Sequence, residues 1–394
     1  MNIDPIVIVS FARTPIGDFQ GSLSALTSAE LGAHAIKSVL ARTKLDPNHI
    51  DEVIMGCVLQ AGQGQAPARQ AALGAKLPNA TNCTTVNKMC GSAMKAIMLA
   101  HDQIKAGSHD IVIAGGMESM SNAPYLLSKA RAGYRLGHGQ IMDHMFLDGL
   151  EDAYDRGKLM GIFAEVTVEK YKFTREEQDK FAITSVERAK KAIETGCFEQ
   201  EIEPITIQGK KDTVVVKIDE SPGKAKLDKI PTLKPAFKKD GSVTAANSSS
   251  ISDGAAAVML MKESEAKKRN LPIIAKIVGF SSYSHEPCWF TTAPVGAVNK
   301  LSKKIGWAIN DIDLFELNEA FAVVTMAAIK DLAISHDKVN IHGGACALGH
   351  PIGASGARIV CTLLAALKRY GKKRGIASLC IGGGEATAMA FEIV

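Results

Sequence analysis

The sequence predicts an α/β protein made of two repeated halves, each with a sheet covered by helices, and a long insertion in the first half. Three observations lead to this prediction. Short apolar or β-branched segments alternate with segments of helical periodicity, as in a sheet that carries helices on both faces. The alternation stops near Ser119 and resumes near Ile251. The order of segments after this break repeats the order before it.

The first half begins with an apolar strand and continues as helices and strands. Thr27 and Glu30 form a capping-box pattern that starts a helix. A second helix is indicated by apolar residues at helical spacing and is ended by Gly107. In chain order, the predicted elements are a strand over 6–9, a helix from 28 to about 43, strands over 50–56 and 81–86, a helix over 93–106 and a strand over 110–114.

The segment from about 119 to 248 lacks the regular alternation of predicted strands and helices found in the rest of the chain. A helix is predicted to begin after Thr174 and to end at Gly196, and a lysine-rich stretch with prolines follows over 210–239. The lysines fit a solvated face and contacts to phosphates equally well. So long an insertion is usually a lid or a binding excursion. We therefore expect three units, namely an N-terminal half over 1–118 and 249–272, a loop domain over 119–248 and a C-terminal half over 273–394.

Two further features repeat between the halves. The strand predicted over 311–316 corresponds to the strand over 50–56, and about 40 residues after each strand a loop opens a helix. These loops begin at Cys90 and at His350, and each is followed by a buried strand that ends in glycines. Because sites in such sheets form beyond the carboxyl ends of strands, we expect the loops to face one another.

Composition and charge argue against several classes of protein. The chain of 394 residues has 46 basic and 41 acidic residues, and its formal charge of +5 is too small and too dispersed to predict nucleic-acid binding. Its eight cysteines include no CxxC pair and its ten histidines no HExxH spacing, so we expect reduced thiols and no metal site. No apolar run reaches about 18 residues, so no membrane span is expected. The first strand leaves no room for a signal peptide, and the predicted location is cytoplasmic.

Cys90 lies where a predicted strand turns into a predicted helix, which makes it a candidate nucleophile. At a helix N-terminus the unpaired N–H groups and about half a positive charge of macrodipole favour the thiolate, so we expect a lowered pKa for Cys90. Taken alone, a cysteine at such a position is more often a small buried core residue. Other residues must decide between the two interpretations.

Three more polar groups lie at strand ends or in glycine-rich loops. His350 stands between a glycine and a proline, where its ring can approach a ligand, although a single histidine is more often structural. Cys380 ends an apolar strand, and the glycines after it are candidate oxyanion donors. Asn318 offers an amide at the same edge. Two thiols and a histidine favour acyl transfer with carbon–carbon bond chemistry, in which one thiolate holds the acyl group and the other removes a proton from carbon.

Four motifs of this chain resemble the signature motifs of thiolases, in the right order and across essentially the whole chain. They are Asn87-Lys88-Met89-Cys90-Gly91-Ser92, Asn318-Glu319-Ala320-Phe321, Gly343-Gly344-Ala345 to Gly349-His350-Pro351-Ile352-Gly353-Ala354-Ser355-Gly356, and Cys380-Ile381-Gly382-Gly383-Gly384. Four such motifs are highly specific. The resemblance implies a thiolase-like fold in which two repeated α/β halves carry an inserted loop domain.

The resemblance also implies a role for each motif. Cys90 attacks the acyl thioester after activation by His350, which forms one oxyanion site together with a water on Asn318. The backbone N–H groups of Cys90 and Gly382 form a second oxyanion site over the acyl-enzyme. Cys380 takes the α-proton of a second acetyl-CoA, and the carbanion attacks acetyl-Cys90 to give acetoacetyl-CoA. The implied enzyme is an acetyl-CoA C-acetyltransferase whose substrates are coenzyme A thioesters and which needs no cofactor.

For coenzyme A the resemblance implies the loop domain and the segment after it. The matching positions are Ser249, Phe237, Ala245, Met160, Leu159, Lys224, Ala320 and Phe321. Leu159 stands where acetoacetyl-specific members have His and many long-chain members have Pro. Gly223 and then Lys224 stand where an arginine is usual, and Ser250 replaces a usual glycine. The loop over 133–137 is more similar to the short-chain biosynthetic branch, whose members are homotetramers built as dimers of dimers.

Three alternatives stand beside this interpretation. A broader-chain 3-ketoacyl-CoA thiolase of fatty-acid breakdown stays open, because Leu159 leaves the chain length undecided. The related decarboxylating condensing enzymes share the doubled fold and the nucleophile but use no second catalytic cysteine, so Cys380 argues against them. A non-catalytic carrier of coenzyme A or lipid would not require Cys90, His350 and Cys380 together.

Overall fold

A computed structural model describes residues 4–209 and 212–394, so the first two lysines of the stretch predicted over 210–239 lie outside the described residues. The strands are β1 (Ile6–Arg13), β2 (Gly17–Asp18), β3 (Glu52–Gly56), β4 (Asn82–Val86), β5 (Ile111–Ser119), β6 (Tyr125–Leu127), β7 (Ile141–Asp143), β8 (Ile205–Gln208), β9 (Thr213–Val216), β10 (Ser252–Lys262), β11 (Ala275–Ser284), β12 (Leu314–Leu317), β13 (Arg374–Ile381) and β14 (Glu385–Ile393). The α-helices are α1 (Ser28–Thr43), α2 (Pro67–Gly74), α3 (Ser92–Ala106), α4 (Met160–Tyr171), α5 (Arg175–Glu194), α6 (Glu220–Lys224), α7 (Glu263–Lys268), α8 (Ala293–Ile305), α9 (Ala322–Asp331), α10 (Ala345–Leu348) and α11 (Ser355–Arg369).

The helix boundaries predicted from caps are confirmed. The Thr27 hydroxyl accepts from the N–H of Glu30 at 3.3 Å, and the Glu30 carboxylate accepts from the N–H of Thr27 at 2.8 Å. Thr174 and Glu177 form the same reciprocal pair at the start of α5, at 3.1 and 2.8 Å. α3 ends at Gly107, whose φ of +79° closes the last turn in the left-handed conformation.

One sheet of ten strands runs through both halves. Its order is β12-β13-β14-β11-β1-β10-β5-β3-β4, and β2 pairs with β10 beside this path. The halves meet where β1 pairs with β11 through two residue pairs, Val7 with Lys276 and Ile8 with Ala275. The predicted sheet with helices on its faces is therefore present, and it is continuous across the repeat.

The pairing pattern on the two sides of this joint is repeated. β3 and β5 are parallel and β5, β10 and β1 follow antiparallel, just as β12 and β13 are parallel and β13, β14 and β11 follow antiparallel. Asp51, just before β3, accepts from two N–H groups at the start of β5, and Asp313, just before β12, does so at the start of β13. In the second half, the counterpart of β4 is a single parallel β-bridge between Phe315 and Val339. These matches confirm the predicted duplication.

Three hydrophobic cores order the layers around the sheet. α3 and α11 pack in a central core between the strands of both halves, whereas α1 and α2 cover the outer face of the first half and α8 that of the second. Each fully buried Leu, Ile or Met contributes about 1.5–3 kcal/mol. α3 and α11 touch near their N-termini, where Gly356 lies against the backbone of Met94. The loops that carry Cys90 and His350 therefore meet in the middle of the molecule.

The described part of the segment over 120–251 adds no strand to the main sheet. It forms the hairpins β6–β7 and β8–β9, the helices α4, α5 and α6, and irregular segments. α4 packs with α9 in a small core that includes Phe321 and Cys380, so the insertion covers the site described below. The division into three units stays a prediction. Within the described ranges, none of the helices has the length and apolar character needed to cross a membrane.

Candidate active site

A cavity of about 850 Å³ lies where the loops of the two halves meet. Cys90, His350 and Cys380 all line it, so the three reactive groups predicted from separate parts of the sequence share one site. Gly382 lines the same cavity. Its other walls come largely from the insertion, which closes over the ends of the strands.

Cys90 is presented by a tight turn between β4 and α3. Met89 adopts a φ of +47°, a left-handed conformation of the kind that costs a non-glycine residue of order 1–3 kcal/mol. The Ser92 hydroxyl stabilises the turn, because it accepts from the N–H of Lys88 at 2.8 Å and donates to the carbonyl of Met89 at 2.6 Å. Lys88 also forms an ion pair with Glu385 of the second half. These contacts hold the thiol at the floor of the cavity.

Gly91 allows the two halves to approach at this point. A Cβ at position 91 would overlap the side chain of Ile381, which follows Cys380 on β13. Any larger residue at position 91 would have to displace the Ile381 side chain beside the second thiol. Gly91 therefore has a role in packing the two halves together, which the spacing of the motif residues does not indicate.

The thiol of Cys90 receives two backbone N–H groups, its own and that of Gly382. Both favour the thiolate, but burial outweighs them and raises the pKa of Cys90 to about 11, with a smaller contribution from the Glu118 carboxylate. The expectation that the helix N-terminus lowers the pKa of Cys90 is therefore wrong, because burial raises this pKa by more than the helix end lowers it. Cys90 is a neutral thiol at pH 7 in the free protein and needs a base.

His350 is buried and neutral. Its pKa is lowered to about 3, first by burial and then by the positive charge of Arg358. Nδ1 lies 2.6 Å from the hydroxyl of Ser355, and that hydroxyl donates to the carbonyl of Pro351 at 2.9 Å. Ser355 therefore accepts from Nδ1–H, which leaves the lone pair of Nε2 free to take a proton.

Asn318 lies beside the imidazole rather than on the cavity wall. Its side-chain nitrogen is 3.5 Å from both ring nitrogens of His350, which is contact across the ring and not a well-formed hydrogen bond. Its side-chain oxygen is buried and has no partner among the described protein atoms. This unused acceptor fits the predicted water-holding role, which stays a prediction.

Cys380 ends β13 and is buried, and burial raises its pKa, with a further rise from a charge on Cys90. The turn after it needs glycine, since Gly383 and Gly384 have φ of +94° and +86°. A Cβ on Gly384 would also overlap the carbonyl of His285. This turn places the N–H of Gly382 beside the sulfur of Cys90, where it favours the thiolate.

Seven of the eight positions predicted to contact coenzyme A line the cavity. They are Ser249, Phe237, Ala245, Met160, Leu159, Ala320 and Phe321. Lys224 is not on the wall and is exposed, and its ammonium pairs with Asp18 at 2.8 Å and Glu220 at 2.6 Å. Asp18 lines the cavity, so Lys224 lies just behind the rim. The binding roles of these eight residues stay predictions.

Several residues at the site were missed by sequence reasoning. Tyr154 lies close to Gly383, and Phe290 packs with Phe321 in the wall; neither belongs to a local pattern that could have indicated it. Ser355 belongs to the motif that contains His350, but its contact with Nδ1 of His350 was not predicted. Glu118 lies four residues beyond the strand predicted over 110–114, and only the structure shows which loops it contacts. Within the described residues no cluster of three potential metal ligands occurs.

Comparison with known proteins gives consistent results over the whole chain. Residues 6–264 match the family model described as "Thiolase, N-terminal domain", and residues 271–393 match "Thiolase, C-terminal domain". An acetyl-CoA acetyltransferase of Saccharomyces cerevisiae is 50% identical over 394 residues, which cover 98% of this chain and 98% of that protein. The crystal structure of the Bacillus anthracis acetyl-CoA acetyltransferase superposes with a TM-score of 0.97 at 43% identity and covers 100% of this chain and 99% of its own. The Acat5 thiolase from Ascaris suum in complex with coenzyme A superposes with a TM-score of 0.94 at 41% identity, over 99% and 100% of the two chains.

Proposed function

The chain belongs to the thiolase family, and we propose that it is an acetyl-CoA C-acetyltransferase, an enzyme that reversibly condenses two acetyl-CoA to acetoacetyl-CoA and CoA. One observation carries the proposal: Cys90, His350 and Cys380 line one cavity, and the N–H of Gly382 is directed to the sulfur of Cys90. Each residue role below is part of this proposal.

In the first half-reaction Cys90 becomes acetylated. Its sulfur attacks the thioester carbon while its proton passes to Nε2 of His350, because a thiol with a pKa of about 11 must lose its proton as the new bond forms. The carbon–sulfur bond to CoA then breaks. His350 passes the proton that it took from Cys90 on to the departing CoA thiolate. Acetyl-Cys90, a neutral His350 and the Cys380 thiol are left, so the protons balance.

In the second half-reaction a carbon–carbon bond forms. Cys380 first gives its proton to Nε2 of His350, which lines the same cavity. The resulting thiolate takes the α-proton of a second acetyl-CoA, and the carbanion attacks the carbonyl of acetyl-Cys90. The backbone N–H groups of Cys90 and Gly382 stabilise the tetrahedral oxyanion, where one such donor contributes about 10²–10³ in rate. The Cys90 sulfur then leaves and recovers its proton from His350. Acetoacetyl-CoA is released and all three side chains return to their starting forms.

The competing classes fit this site less well. Decarboxylating condensing enzymes do not use a second thiol, whereas here Cys380 lies in the same cavity as the nucleophile. A carrier would bind coenzyme A without needing two N–H donors on a thiol. A broader-chain 3-ketoacyl-CoA thiolase is the second candidate, and it is favoured by one observation, the apolar side chain of Leu159 on the cavity wall.

The wider setting is also proposed. Coenzyme A enters as a substrate along the wall supplied by the insertion, and no step above needs a cofactor. Eight free cysteines support a reducing, cytoplasmic compartment. Exposed apolar side chains in and near the hairpin β6–β7, at Tyr125, Leu127, Leu136 and Ile141, support a homotetramer with contacts through the loop domain. The acyl-CoA substrates support a role in lipid metabolism.

The proposal is tested by CoA-dependent thiolysis of 3-oxoacyl-CoA substrates of increasing chain length. A kcat/KM that falls steeply beyond four carbons is the expected result and identifies an acetoacetyl-CoA thiolase. Equal or rising values for chains of eight to twelve carbons would identify the broader-chain enzyme. No turnover at any length would overturn the enzymatic proposal and support a carrier.

A further inference from the structure

We propose that Glu118 is a positioning residue that sets the location of His350 relative to Cys90 by tying together two loops of the active site. Glu118 lies near the end of β5 and its side chain is wholly buried. None of the reaction steps proposed above assigns a role to Glu118. The inference rests on the proposed function, since its effect is measured on the acyl-transfer reaction.

The Glu118 carboxylate accepts three backbone N–H groups from two loops. One oxygen accepts from Gly353 at 2.8 Å and from Val58 at 3.0 Å, and the other accepts from Leu59 at 3.1 Å. The thiol of Cys57 lies 3.6 Å away. Val58 and Leu59 follow β3, whereas Gly353 belongs to the loop that begins with His350.

Among the residues that the structure describes, no lysine, arginine or histidine forms an ion pair with the Glu118 carboxylate. Its burial raises its pKa to about 7, while the N–H groups of Leu59, Val58 and Gly353 oppose the rise. Burying a carboxylate without a cation is costly, and the three N–H groups that it accepts offset part of that cost.

Both tied loops touch the reactive groups. Val58, Leu59 and Ile352 form one small core, and Met89 and Cys90 pack against it. At the other end of the His350 loop, the N–H of His350 donates to the carbonyl of Ser250 at 3.1 Å. The loop is thus fixed at His350 by Ser250 and three residues later by Glu118.

The fit around the carboxylate leaves little room for adjustment. A Cβ on Gly353 would overlap the Glu118 carboxylate and would lie 2.8 Å from the carbonyl of Met117. The carbonyl of Gly353 in turn lies against Gly116, within β5, and against Gly56, the last residue of β3. The His350 loop therefore packs directly on these two strands, and the Glu118 side chain bonds it there.

The principal test is Glu118→Gln in the full-length protein. The amide keeps the size of the side chain but offers one acceptor oxygen, so at least one of the three N–H groups faces an –NH2 group. We expect kcat to fall by about tenfold or more, since misplacement by about 1 Å costs up to 10²-fold, with the KM for CoA within about threefold of wild type. The rate of acetyl transfer to Cys90 is expected to fall with kcat.

Asp51→Asn is the matched control. Asp51 also accepts two backbone N–H groups, at 2.8 and 2.9 Å, but it does so at the opposite ends of β3 and β5. It should lower the melting temperature without changing kcat of the folded enzyme. Glu118→Ala, which removes all acceptors, should lower kcat further; if it does not fold, Glu118→Gln decides alone.

A kcat in Glu118→Gln equal to that of wild type, with only a lower melting temperature as in Asp51→Asn, would overturn the inference. Wild-type protein in the same assay keeps the two proposals apart. Without wild-type turnover the proposed function fails, whereas wild-type turnover with an unaffected Glu118→Gln variant refutes the role of Glu118 alone.

Discussion

Replacing Ser355 with alanine removes the hydroxyl that lies 2.6 Å from Nδ1 of His350. In the wild-type protein this hydroxyl donates to the carbonyl of Pro351, so it accepts from Nδ1–H and leaves Nε2 as the base. In Ser355→Ala the buried Nδ1–H has lost its acceptor, and the tautomer with the proton on Nε2 gains population. That tautomer cannot take the proton of Cys90.

The magnitude follows from one buried hydrogen bond. Leaving a buried donor unpaired costs about 1–3 kcal/mol. If 1–2 kcal/mol of this separates the two tautomers, the competent one loses about 5–30-fold in population. We expect kcat and the rate of Cys90 acetylation to fall by that factor, measured by rapid-quench labelling with acetyl-CoA. The KM for CoA should change little, because Ser355 does not line the cavity.

Ser281→Ala is the control for stability alone. The Ser281 hydroxyl is buried in β11 and donates to the carbonyl of Ala297 at 2.7 Å, so its removal also breaks one buried hydrogen bond. Both variants should be destabilised by about 1–3 kcal/mol in urea unfolding. Equal kcat in Ser355→Ala and Ser281→Ala would refute the argument that Ser355 orients the imidazole.

Three other predictions follow from the same geometry. Leu159→His replaces an apolar residue of the cavity wall by a polar one. The ratio of kcat/KM for a four-carbon substrate to that for an eight-carbon substrate should therefore rise by roughly tenfold. An unchanged ratio would show that Leu159 does not set the preferred chain length. Burial lowers the pKa of His350 to about 3 and that of His342 to about 4. Below about pH 6.5 the unfolded imidazoles bind protons and the folded ones do not, so their contribution to the unfolding free energy is full above pH 6.5 and is lost as the pH falls to about 4 for His342 and about 3 for His350. His342→Asn should flatten that loss in urea unfolding, and an unaltered pH slope would contradict the assignment. Gly91→Ala places a Cβ against the Ile381 side chain and should displace Cys90, so kcat should fall by at least about tenfold. A wild-type kcat would show that the Ile381 side chain moves aside without displacing Cys90.

Much of the fold was predictable because its signals are local. Capping boxes at Thr27 and Thr174 depend on residues three apart, and the duplication was visible as a repeated order of strands and loops. The join between the halves was not predictable. It consists of two pairs between β1 and β11, which are far apart in sequence and have no composition that singles out the pairing.

The site was predictable in its reactive groups and not in its electrostatics. Cys90, His350 and Cys380 stand in recognisable motifs, and the cavity contains all three. The raised pKa of Cys90 was missed because burial, its main cause, is set by distant parts of the chain, and so is the smaller effect of the Glu118 charge. A helix N-terminus is a local feature, whereas desolvation is a property of the whole fold.

The pocket walls show the same limit. Tyr154 and Phe290 come from irregular or short 3₁₀ segments, where side-chain direction depends on packing against other elements. Lys224 shows the converse, since its motif position was visible but its pairing with Asp18 was not.

The central claim is that two thiols divide the reaction, with Cys90 carrying the acetyl group and Cys380 removing the α-proton of the second acetyl-CoA. It is tested most directly by incubating the Cys380→Ala variant with acetyl-CoA and locating the acetyl group by peptide mass spectrometry, while acetoacetyl-CoA formation is followed in the same sample. The account predicts an acetyl group on Cys90 and no condensation product. Normal acetoacetyl-CoA formation by this variant, or an acetyl group on any residue other than Cys90, would contradict it.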